Sequence, residues 1–87
     1  MNNEVVAHRF IYGEKTSAQG SNFSFKYDRL YSYDSILAKI NREKKIVYID
    51  SNIAGYSNSS RKHTNYLYRA IPQNYSTFQW DFSEDFI

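Results

Sequence analysis

A chain of 87 residues with 41% hydrophobic residues and no cysteine excludes a second core, a disulfide framework and a thiolate metal centre. Its formal charge of +2 hides an asymmetry: residues 1–70 hold all eleven Lys and Arg against six acids, giving +5, whereas residues 71–87 hold three acids and no base, giving −3. Sixteen aromatics, nine of them tyrosine, exceed what so small a core needs, so some belong on the surface or in an interface.

No stretch approaches the ~20 apolar residues of a membrane span. The start, MNNEVVAHRF, also lacks the basic and apolar regions of a signal peptide. A cytoplasmic protein with no membrane partner is expected.

EVVAHRFIY (4–12) is rich in β-branched and aromatic residues and predicts a strand with Val6, His8, Phe10 and Tyr12 on one face. GEKTSAQGSN (13–22) reads as a loop. In NFSFKYDRLYSY, Phe23, Phe25 and Tyr27 alternate with polar residues, and Leu30, Tyr31 and Tyr33 follow, which predicts two short strands around a turn at residues 27–29. ILAKI and KIVYID flank NREK (41–44), a hairpin connection, with Ile36, Ala38 and Ile40 facing one way and Ile46, Tyr48 and Asp50 likewise.

SNIAGYSNSS (51–60) reads as a second loop, in which Asn58, Ser59 or Ser60 could cap a helix. His63, Tyr66, Leu67, Ala70 and Ile71 then make one helical stripe, Arg61, Asn65, Tyr68 and Arg69 point outward, and Pro72 stops the helix. TFQWDF alternates Phe78, Trp80 and Phe82 as a last strand or an extended arm. The expected fold is α+β in a single domain, 1–87. A small antiparallel sheet of about five strands carries one helix in the C-terminal half. The core covers 1–72 and an acidic aromatic tail covers 73–87.

Two surfaces qualify as binding sites. A helix start offers backbone N–H groups without intrahelical partners, and Ser59, Ser60, Arg61 and Lys62 would add hydroxyls and charge for an anion, with Asn65, Tyr68 and Arg69 extending the contact face. The competing reading leaves Arg61 and Lys62 solvated or neutralised by Asp81, Glu84 and Asp85. The second surface is basic with interleaved aromatics: Lys26, Arg29, Tyr31, Lys44 and Lys45, with Tyr33, Lys39 and Arg42 nearby. Single-stranded nucleic acid is held by such charge and stacking, although strand alternation divides these residues between two faces. His63 reads as a packed histidine beneath the helix, and two histidines with no carboxylates at ligand spacing predict no metal and no cofactor.

SAQGSNFSF (17–25), LYSY (30–33), the alanine of ILAK, and YSNSSRKH running into a helix that ends AIP resemble a family of small phage-encoded domains of unknown function. The resemblance covers residues 5–72. Asn58, Ser59, Ser60 and Arg61 stand where that family often has a Ser/Thr run, and Ile36-Leu37-Ala38 lacks its proline. The resemblance implies a phage setting and a non-catalytic role.

The expected function is therefore a non-enzymatic interaction protein that binds a host nucleoprotein complex, a host protein or nucleic acid, as an inhibitor of a host defence system of the anti-CRISPR kind would. The alternative is a small basic endoribonuclease, with His63 and Tyr66 or His8 moving protons and Arg61 and Lys62 stabilising phosphorane charge. A homodimer through the aromatic tail is compatible with the first reading.

Overall fold

The computed structural model describes residues 2–13, 16–33, 35–51 and 58–82, with the side chains of 58–60 left out. Helix α1 (Asn3–Tyr12) is followed by β1 (Ser17–Gln19), β2 (Phe23–Lys26), β3 (Arg29–Ser32), β4 (Ser35–Asn41) and β5 (Ile46–Asp50), then by helix α2 (Asn58–Ala70) and β6 (Ser76–Trp80). All six strands join one sheet in chain order. Neighbours from β1 to β5 are antiparallel, and β6 lies parallel to β5. A parallel neighbour cannot be reached through a hairpin, so the segment carrying α2 serves as the crossover.

Residues 4–12 form a helix and not the expected strand. Val6 and Phe10, and Ala7 and Ile11, are i, i+4 pairs, and all four are buried, whereas His8 and Tyr12 are exposed and lean on each other at 4.6 Å. Asn2 caps the start by accepting from the Glu4 N–H at 2.7 Å, and Glu4 puts negative charge in the first turn. Gly13, at φ 65°, ends the helix by donating to the Arg9 carbonyl at 2.7 Å. Burial of the four apolar residues outweighs the modest helix propensity of Val5 and Val6.

Arg42 closes the same helix end. Its Nε and Nη2 donate to the Phe10 carbonyl at 3.1 and 2.7 Å, and Nη2 also donates to the Tyr27 carbonyl at 2.8 Å. A cation there complements the negative end of the helix dipole. Arg42 is thereby drawn to the helix side of the sheet, away from the basic surface it was grouped with.

The 13–22 segment is not wholly loop, because residues 17–19 form β1 at one sheet edge. Each hairpin turn has a described non-glycine residue at positive φ: Asn22, Tyr27, Tyr33 and Lys45. A register shift between Leu30 and Tyr31 pairs Tyr31 with Ile36 and Leu30 with Ala38, so Leu37 is the extra residue of a bulge. Ile36 therefore leaves the face that Ala38 and Ile40 share and lies beside Tyr31.

Both helices cover one face of the sheet. The core joins Val6, Phe10 and Ile11 of α1 and Leu67 of α2 to Phe23, Phe25, Leu30, Val47 and Ile49 of the strands. The stripe expected on α2 is present: His63 and Leu67 are buried, Tyr66, Ala70 and Ile71 pack against the core, and Arg61, Asn65, Tyr68 and Arg69 are exposed.

Candidate functional site

Among the described residues no helix covers the opposite face of the sheet, and the strand registers decide what it displays. Lys26 pairs with Arg29, Arg29 with Lys39, Lys39 with Tyr48, and Tyr48 with Phe78. These five residues form one cross-strand row, about 19 Å long at the usual strand spacing of roughly 4.8 Å. The neighbouring row brings Ser24, Tyr31 and Ile36 together on one side and Asp50 and Trp80 on the other. Lys26, Arg29 and Lys39 thus lie at one end of the long row, and Tyr48 and Phe78 with neighbouring Trp80 at the other.

Phe78 and Trp80 are 53% and 51% exposed, unusual for the two most apolar side chains of a strand. Tyr48 sits between them, 6.1 Å from the Phe78 ring and 6.0 Å from the Trp80 ring, the latter edge-on. Beside this cluster opens a cleft of about 350 Å³, lined among others by Lys39, Asn41, Tyr48, Trp80 and Phe82. Asp28 also lines it and lies 3.9 Å from the Arg29 Nε. That surface ion pair is weak enough for a stronger anion to displace. Phe82 is buried, so the aromatic tail does dock on the body, but through Phe82 and not through Phe78 or Trp80.

Of the basic-aromatic surface expected from sequence, Lys26, Arg29 and Tyr31 share this open face. Lys44 and Lys45 stand at the β4–β5 turn, where the Lys44 N–H donates to Asn41 Oδ1 at 3.0 Å. Tyr33 leaves the group: it turns at φ 57° towards His63, with ring centroids 5.7 Å apart. Strand alternation does not divide the remaining residues, because the two-residue turn at Tyr27 and Asp28 sets Lys26 directly opposite Arg29. Tyr48, Phe78 and Trp80, which the sequence reading leaves out, join them through β5 and β6. The alternation of TFQW held the signal for Phe78 and Trp80, but their neighbours follow from register alone.

The other expected surface lies on α2. Since α2 begins at Asn58, Arg61 and Lys62 lie about one turn inside the helix, where the dipole penalty has faded. Cations are therefore tolerated there. The side chains of Ser59 and Ser60, and their role as caps, lie outside the described residues. Arg61, Asn65, Tyr68 and Arg69 are on the outer face of α2, and Arg69 reaches Glu4 of α1 at 3.9 Å. Lys62 instead lines a polar recess of about 200 Å³ with Asn3, Ser21, Asn22, Tyr33 and His63.

His63 closes the floor of that recess. It is 6% exposed, its Nδ1 is 2.7 Å from Ser32 Oγ, and its ring stacks on Phe23 at 4.8 Å. Burial pushes its pKa below the ordinary 6.5, against the opposing pull of a hydrogen bond to the Ser21 backbone. A neutral ring that donates to the Ser21 carbonyl through its other nitrogen leaves Nδ1 to accept from the Ser32 hydroxyl. Asn3 holds the same turn, accepting from the Ser21 N–H at 2.9 Å. The imidazole therefore joins three elements, as a packed histidine does.

Among the described residues no group of three His, Cys, Asp or Glu could hold a metal, and no helix is long and apolar enough to cross a membrane. Comparison of the chain with protein-family models, curated proteins and solved structures finds no match.

Proposed function

We propose that this is a non-enzymatic binding protein whose open sheet face takes single-stranded nucleic acid, free or displayed by a nucleoprotein complex. The observation that carries this reading is the cross-strand row of Lys26, Arg29 and Lys39 continuing into Tyr48 and Phe78, with Trp80 beside it. Phosphates are held by cations and bases stack on aromatic faces, so a single strand needs both side by side on an accessible surface. Duplex DNA requires a helix or ribbon narrow enough for a groove, which a six-stranded sheet face is not. The engagement of His63 with Ser32 and Ser21 supports a structural role for it and weighs against the ribonuclease alternative. The phage setting and inhibition of a host defence complex remain part of this proposal as the context in which such a strand would be met.

Trp80 is the only tryptophan, so its fluorescence reports on the surface directly. Titration with a short oligothymidylate is expected to quench it saturably, and the same duplex to do so far more weakly. Unchanged emission from Trp80, together with unchanged anisotropy of a labelled oligonucleotide, overturns the reading. Affinity capture from host cells with wild type and a Lys26→Ala, Arg29→Ala variant then asks whether the ligand arrives inside a nucleoprotein; recovery of the same complex by both forms separates that partner from this face.

A further inference from the structure

Among the described residues no strand pairs with the outer edge of β6. Natural edge strands are blunted by charge, proline, bulges or shortness. At the other edge β1 has three residues, but β6 runs five, Ser-Thr-Phe-Gln-Trp, with none of those devices. The direction of its backbone groups is fixed by two bonds. The Ser76 N–H donates to the Lys45 carbonyl and the Trp80 carbonyl accepts from the Ser51 N–H, both at 2.9 Å, so residues 76 and 80 face β5. Backbone groups alternate sides along a strand, so Thr77 and Gln79 present their N–H and C=O groups to the free edge.

We infer that the occupant of this edge is β6 of a second copy, paired antiparallel about a two-fold axis at Phe78. In that register Thr77 lies opposite Gln79 of the second copy, and each pair exchanges two backbone hydrogen bonds. Phe78 faces its own counterpart as a non-hydrogen-bonded pair, the arrangement in which opposed side chains come closest. Charge agrees with the same register. Asp81, just past the end of β6, is carried to the end of the second sheet where Ser76 lies beside Lys45, so one acid of each copy comes near the basic turn of the other. The interface is isologous and closes on itself, so it stops at two chains.

Two six-stranded sheets become one of twelve strands. The row of Lys26, Arg29, Lys39, Tyr48 and Phe78 continues into its mate, giving an aromatic centre with cationic ends about 43 Å apart. That consequence for site size rests on the nucleic-acid reading, whereas the dimer itself does not.

Sedimentation equilibrium of the full chain without nucleic acid tests the dimer, with a mass of twice 10.3 kDa expected. Gln79→Pro removes an outward N–H that β5 does not use, so it is expected to give a folded monomer. Because the chain has no cysteine, Phe78→Cys and Thr77→Cys provide a second measurement. Opposed Cα atoms of a non-hydrogen-bonded pair lie about 4.5 Å apart, within disulfide reach. The Thr77 positions are offset by two residues each way and are out of reach. Rapid oxidation of Phe78→Cys to a covalent dimer, with Thr77→Cys remaining monomeric, is the expected result. A 10.3 kDa mass at high protein concentration, or equal cross-linking of the two cysteines, overturns the inference. A monomer that still quenches with oligonucleotide would overturn the dimer alone, and a dimer indifferent to oligonucleotide would overturn the binding reading alone.

Discussion

Replacing Lys26 and Arg29 together by alanine removes two of the three cations in the row while leaving its aromatic end untouched. Lys26 is exposed, and Arg29 forms a long surface ion pair at 3.9 Å, so the fold should be little affected. If the row contacts three phosphates of a single strand, each releasing its share of counterions, log affinity falls with log salt at a slope of about −2.1, and the double variant keeps about −0.7. Between about 50 and about 200 mM salt, wild type then loses about 18-fold in affinity and the variant about 3-fold. Fluorescence titrations of Trp80 with oligothymidylate across that range measure both slopes. A variant whose slope equals that of wild type would refute the assignment of phosphate contacts to this face, whatever its affinity at one salt concentration.

Trp80→Ala should weaken binding by ~1–3 kcal/mol, one base stack, with the salt slope unchanged, read by anisotropy of a labelled strand. Arg61→Ala with Lys62→Ala, on the far side of the molecule, should leave affinity and slope near wild type in the same assay. His63 has a folded pKa below its unfolded value of 6.5, so the unfolded chain binds more protons as acid is added. Its stabilising contribution is complete above pH 6.5 and declines as the pH falls from there through the folded pKa; urea midpoints should drop across that window, and the His63-dependent part should vanish in His63→Phe. Gly13→Ala should cost ~2–4 kcal/mol in denaturant unfolding, since φ 65° strains an L-residue and the new Cβ would lie 2.9 Å from Arg42 Nε. The cost should be smaller in an Arg42→Met background, because the two sites share one contact.

Helix α1 illustrates where local reading and packing part. Its capping residues, Asn2 and Gly13, were visible in the chain, as was the i, i+4 recurrence of Val6 with Phe10 and Ala7 with Ile11. The β-branched start and the apparent alternation of Val6, His8 and Phe10 outweighed them. Over nine residues the two periods overlap, and only burial against β1, β2 and α2 selects one. The turns were obscure for another reason: Tyr27, Tyr33 and Lys45 take positive φ without the glycine or asparagine that normally announces it. Their strain is tolerated because the strands on either side are held by the sheet.

Composition and periodicity determined the α+β class, the α2 stripe from His63 to Ile71, the buried histidine and the excess of aromatics over core capacity. These are properties of neighbours along the chain. Which aromatics and cations share a face was decided by tertiary structure, because a cross-strand row depends on register, and register depends on two-residue turns, one bulge at Leu37 and a parallel strand delivered through a helical crossover. Lys26 and Phe78 are 52 positions apart in the chain and meet on one surface only after five strands have been aligned, which no local pattern can encode.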